Sequence, residues 1–143
     1  MFYGENRHTI DSKGRLVMPA KFRDGLQDGY VMTKGLDRCI FLFPLDEWKR
    51  MEEKLKALPL THKDARAFVR YFFSGACDGT LDKQGRIKVP QNLMSYAELT
   101  SKSVIIGVGT RMEIWSEALW DDYTDDESLS YDQIAQQLAD LGI

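Results

Sequence analysis

Two clusters of charged residues recur in this chain at one spacing. Asp11, Lys13, Gly14 and Arg15 lie in the run Thr9-Ile10-Asp11-Ser12-Lys13-Gly14-Arg15-Leu16-Val17-Met18-Pro19. Asp82, Lys83, Gly85 and Arg86 lie in Thr80-Leu81-Asp82-Lys83-Gln84-Gly85-Arg86-Ile87-Lys88-Val89-Pro90. The two runs share Thr-aliphatic-Asp-x-x-Gly-Arg-aliphatic-x-apolar-Pro, offset by 71 residues from Asp11 to Asp82 and from Pro19 to Pro90 alike. Chance seldom sets four such residues at the same offsets twice in a short chain, so the pattern marks an internal duplication. The chemistry open to it is electrostatic. An Arg fork takes guanine O6 and N7 together, and neighbouring lysines take phosphates.

The local pattern predicts a β-hairpin over residues 7–18 and a second one 71 residues later. Apolar and polar residues alternate on both sides of each turn, and Gly14 and Gly85 hold the last position of a three-residue loop, where a left-handed residue is required. Asp then faces Arg across the strands. One reading is a cross-strand ion pair that pins the register, worth a few tenths to ~1 kcal/mol. The other is that Asp orients Arg at a binding surface. The two readings are compatible.

Other chemistries find little support. His8 and His62 lack a Ser, Cys or metal-ligand constellation, so no catalytic residue and no metal site are assigned. Gly107-x-Gly109 has no third glycine of a dinucleotide loop. The carboxylates at 121–127 lack the Gly and terminal Glu of a calcium loop. Cys39 and Cys77 stand alone, which gives no disulfide framework and suits a reducing cytosol. Neither a leader-like apolar run nor a membrane span is present in the sequence, so a cytoplasmic protein without cofactor or small-molecule substrate is expected.

The net charge of −3 hides an asymmetry. Residues 116–143 carry eight acids and no Lys or Arg, which leaves 19 basic against 14 acidic residues, a net of +5, over 1–115. A basic body with an acidic tail is compatible with a nucleic-acid partner despite the overall sign.

The elements that must position the clusters follow from periodicity. Pro19 and Pro90 suit the first position of short helices. Residues 30–33 and 39–43 predict strands around a turn at 34–38, repeated by 104–106 and 112–115. Asp46 is the expected cap of a helix carrying Trp48, Met51, Leu55 and Leu58, stopped by Pro59. Thr61 with Asp64 predicts a capping box for a helix running to about Ser74, and Ser130 with Gln133 one for a final amphipathic helix.

These hairpins, with Met1-Phe2-Tyr3-Gly4-Glu5, the 34–44 run and the 107–115 run, resemble the MraZ family of bacterial transcriptional regulators over residues 1 to 123. The resemblance implies a mixed α+β, mainly antiparallel fold. Two tandem swapped-hairpin, AbrB-like repeats would form a pseudo-dimeric barrel with peripheral helices. The expected division is 1–75, first repeat with a helical extension; 76–123, second repeat; and 124–143, acidic tail with a short helix. It further implies a nucleoid-associated regulator that binds double-stranded DNA at G-rich direct repeats upstream of the division and cell-wall operon, represses it, and assembles into a closed ring of copies. Arg15 is then the expected base reader, with Lys13, Arg7 and the Gly14 backbone N–H on phosphates. Arg86, Lys83 and Lys88 are their second-copy counterparts, and Asp11 and Asp82 form the structural ion pairs. A protein–protein module, antitoxin-like or a scaffold ring, is the alternative.

Overall fold

The computed structural model describes residues 1–142. The first copy runs through β1 (Phe2–Thr9), β2 (Arg15–Val17), α1 (Ala20–Arg23), β3 (Tyr30–Lys34), β4 (Ile40–Pro44), α2 (Leu45–Lys56) and α3 (Lys63–Ser74). The second runs through β5 (Cys77–Gly79), β6 (Arg86–Lys88), α4 (Gln91–Tyr96), β7 (Lys102–Gly109), β8 (Met112–Ser116) and α5 (Glu117–Asp125), before a terminal α6 (Tyr131–Gln137).

Six strands form one antiparallel sheet in the order β1-β7-β8-β4-β3-β5. The order is unchanged when read backwards with each strand replaced by its counterpart in the other copy. The copies have therefore exchanged partners: β1 pairs with β7 along its whole length, β5 with β3, and β2 with β6. A local dyad passes through Phe41↔Glu113 in the sheet and Leu16↔Ile87 in the β2–β6 ribbon.

The expected hairpins are only half realised. Each turn closes, but its two arms leave for the other copy, and the first retains a single bridge, Ile10↔Leu16. Nor is there one closed barrel. β2 and β6, three residues each, complete their ladder with one another and stand as a separate ribbon over the sheet, while β1 and β5 remain sheet edges.

The central strand β4 is apolar at every position because both faces of the sheet are covered. Ile40 and Leu42 of β4 enter the core beneath the ribbon, where Leu16, Ile87, Phe22 and Leu93 are fully buried. Phe41 and Phe43 enter the opposite core, under α2, α3 and α5. There Trp48 stacks on Phe72, ring centroids 5.5 Å apart. Trp48, Met51 and Leu55 pack as their spacing predicts, and Leu58 lies past the helix end, exposed.

Several helix starts differ from expectation. Pro19 and Pro90 occupy the cap position rather than the first helical one, with extended ψ of 138° and 151° that carry the strand into the helix. Pro44 precedes α2, leaving Asp46 and Glu47 in the first turn, where they favour the helix dipole. α3 is capped by His62, whose Nδ1 accepts the Ala65 N–H at 3.3 Å, instead of Thr61. Ser130 does cap α6 by position but makes no side-chain cap bond. Among the described residues no helix is long and apolar enough to cross a membrane.

Candidate nucleic-acid interface

Each turn is built by its aspartate. Asp11 donates its N–H to Arg15 O and accepts the Gly14 N–H on its carbonyl, both at 3.0 Å. Its Oδ1 accepts the backbone N–H of Lys13 and of Arg15 at 2.9 Å, and its Oδ2 accepts Arg15 Nε at 2.6 Å. Asp82 repeats the arrangement with Gln84, Arg86 and Gly85, its Oδ2 meeting Arg86 Nε at 2.7 Å. The Arg15 backbone N–H above all, helped by the Arg15 guanidinium and the Lys13 N–H, holds the Asp11 carboxyl below the usual carboxylate range against the opposing effect of burial. Arg86 does the same for Asp82.

Gly14 and Gly85 have φ of +80° and +73°. A Cβ on Gly14 would lie 2.7 Å from Val89 O, so glycine is required both for the turn and for the approach of the other copy's strand. The Gly14 N–H is occupied by Asp11 O, which removes it from the expected phosphate contacts; the residue's part is conformational.

The geometry serves both readings of the Asp–Arg pair. The carboxylate engages Nε alone, and among the described residues the two Nη groups of Arg15 and of Arg86 have no hydrogen-bond partner. A fork fixed at its base with both tips free is prepared for a bidentate acceptor.

The cross-copy register gathers the forks on one face. In the ribbon Leu16 and Ile87 point inward, so Arg15, Val17, Arg86 and Lys88 point outward, with Arg15 opposite Lys88 and Val17 opposite Arg86. Lys13 and Lys83 are exposed in the turns at opposite ends, and neither they nor Lys88 meets an acid among the described residues. Lys13, Arg15, Lys83, Arg86 and Lys88 are thus gathered on one ribbon and its two turns.

Arg7 does not join them. It projects from β1 on the opposite side of the sheet, paired with Asp121 at 3.0 Å, Glu5 at 3.3 Å and Glu117 at 3.4 Å. The acidic α5 occupies this guanidinium. Sequence reasoning missed Arg23, whose Nε donates to Met18 O at 2.9 Å and which packs over Gly85 beside the second turn. Aligning the copies offers a signal for it: Arg23 stands where the second copy has Met94, so only one end of the ribbon gains this cation.

The histidines have structural places. His8 lends its carbonyl to Ser103 Oγ at 2.8 Å, and His62 caps α3. Among the described residues no group of three His, Cys, Asp or Glu side chains is arranged to hold a metal. Cys39 is buried, and burial pushes its thiol well above the ordinary range.

A family model described as "MraZ protein, putative antitoxin-like" matches residues 1–71 and again 72–141. The chain belongs to the MraZ family. It is 57% identical to a "Transcriptional regulator MraZ" of Alkaliphilus metalliredigens over all 143 residues of both chains. Proteins of the same description from Desulfitobacterium hafniense (57%) and Clostridium tetani (54%) are also matched over their full length. The two family matches divide the chain as the duplicated turns do, one turn in each.

Proposed function

We propose that this protein is a transcriptional regulator that binds double-stranded DNA through the β2–β6 ribbon. The observation that carries the reading is the pair of arginine forks, each held at Nε by its aspartate with, among the described residues, both Nη groups free, on a ribbon whose outer face and turns carry three exposed lysines that meet no acid. Arg15 reads a guanine edge. Lys13, Lys83 and Lys88 engage phosphates, and Arg86 supplies the second fork. Arg7 and the Gly14 N–H, committed elsewhere, are left out.

The target is a set of G-rich direct repeats upstream of the division and cell-wall operon, and occupancy of that promoter represses it without any chemical step. One ribbon offers only a handful of cations. Copies assembled in a closed ring would engage several repeats together and raise affinity through effective concentration. Such a regulator works in the cytoplasm, at the nucleoid. A protein–protein module is the second reading, favoured by the antitoxin-like description of the family model.

Fluorescence anisotropy on DNA from the gene's own upstream region, against scrambled DNA at two salt concentrations, separates the two. Specific binding that Arg15→Ala abolishes and salt weakens steeply supports the DNA reading. Equal affinity of the wild type for both DNAs at low salt contradicts it and leaves the protein module.

A further inference from the structure

The outer face of the β2–β6 ribbon has two unlike ends. The local dyad exchanges residues 71 apart, so it carries Arg15 onto Arg86 but Val17 onto Lys88. The face therefore shows three cations and one apolar side chain, Val17, which is exposed. A single exposed apolar residue is ordinary on a protein surface. This one stands where the other copy carries a lysine, directly opposite the Arg86 fork.

Side chains that face one another across an antiparallel pair have their Cβ atoms about 4.5–5.5 Å apart. Successive base pairs of DNA are about 3.4 Å apart. Positions 17 and 86 are therefore spaced to address neighbouring base pairs. The Nε bond to Asp82 at 2.7 Å draws the Arg86 fork back toward its own turn, which brings its reach closer to that of the short valine beside it. An isopropyl group has no donor or acceptor to offer a phosphate or a guanine edge. The apolar group that a base edge presents in the major groove is the C5-methyl of thymine.

We infer that Val17 packs on a thymine C5-methyl beside the guanine taken by Arg86, and that this contact gives the ribbon a direction. The inference rests on the DNA reading proposed above and deepens it. At the other end Lys88, opposite Arg15, adds a cation where Val17 adds a methyl contact. A head with two equal ends would accept a half-site in either orientation. Unequal ends select one, as a set of repeats that all run the same way requires.

Anisotropy titrations on the gene's upstream DNA, with thymine or with uracil in its place, test this. Uracil keeps the base pairing and removes only the methyl. The proteins are wild type and Val17→Ser, with Val17→Lys, which installs the other copy's residue, as a second variant should the serine unfold the ribbon by circular dichroism. Wild type binds the uracil DNA about fourfold more weakly, the equivalent of one buried methyl group. Both variants bind the two DNAs equally. Any effect of uracil on duplex shape falls on all three proteins alike, so the difference between them isolates the contact. Single uracil substitutions then place the sensitive thymine next to a guanine whose 7-deaza replacement Arg86→Ala no longer senses. Wild type that ignores the missing methyl, a variant that loses as much as wild type, or a sensitive thymine away from that guanine overturns the Val17 contact. Specific binding that still depends on Arg15 then leaves the ribbon reading in place. Equal affinity of wild type for upstream and scrambled DNA overturns both.

Discussion

Neighbouring residues of β2 provide a demanding test of the ribbon. Leu16 is fully buried against the sheet, at the local dyad opposite Ile87, whereas Val17 is 39% exposed on the outer face. Truncating a buried Leu to Ala removes its transfer free energy and leaves a cavity, together about 2–5 kcal/mol. The ribbon is only three residues long on each strand, so little else compensates. With a urea m-value of about 2 kcal/mol/M, the Leu16→Ala midpoint should fall by roughly 1–2.5 M. Val17→Ala, one residue away, should stay within about 0.5 kcal/mol, or roughly 0.25 M. Urea titrations followed by tryptophan fluorescence at one fixed protein concentration measure both. Equal shifts for the two variants, or a larger one for Val17→Ala, would refute the assignment of the ribbon's faces and with it the gathering of the arginines on the outer face.

Three other outcomes follow from the geometry. Asp11 and Asp82 have folded-state pKa values below their unfolded ones, so their contribution to stability is present above the unfolded value of about 4 and is lost as pH falls through the depressed folded values. Asp11→Asn with Asp82→Asn should therefore flatten the acid limb of the stability–pH curve below about pH 4, read by denaturation at a series of pH values; an unchanged limb would contradict it. Arg7→Ala, which disturbs only the contacts to α5 and Glu5, should leave DNA affinity within about twofold of wild type in anisotropy titrations, a difference of about 0.4 kcal/mol. Gly14→Ala forces a Cβ into a left-handed turn and against Val89 O, so thermal denaturation should show a loss of at least about 1–2 kcal/mol, with no gain from the added side chain.

The sequence announced the turns far better than the sheet. Asp, Gly and Arg act within five residues of one another, so the left-handed Gly14 and Gly85 and both ion pairs were legible. Where the arms go is decided by partners at least 45 residues away. Nothing local distinguishes a closed hairpin from β2 pairing with β6, and the resemblance, not the spacing, pointed to the exchange. Arg7 illustrates the cost. The face on which a strand residue emerges depends on the neighbouring strand, and here pairing with β7 turns Arg7 toward the acids of α5. The run 39–43 was legible as a strand; that both its faces are covered was seen only in the fold, and its lack of alternation fits that. His62 in place of Thr61 is a one-residue shift of a cap that competing nearby side chains can each supply.

The most direct test replaces guanine by 7-deazaguanine in the upstream DNA, removing the N7 acceptor while keeping the phosphates, and measures anisotropy with wild type and Arg15→Ala. A bidentate Arg–guanine pair carries about 1–3 kcal/mol of discrimination, so losing one of its two bonds should weaken wild-type binding by roughly tenfold. Arg15→Ala should bind both DNAs with the same weak affinity. A wild type that binds the substituted DNA as tightly as the natural one would contradict the claim that Arg15, held by Asp11, reads the base.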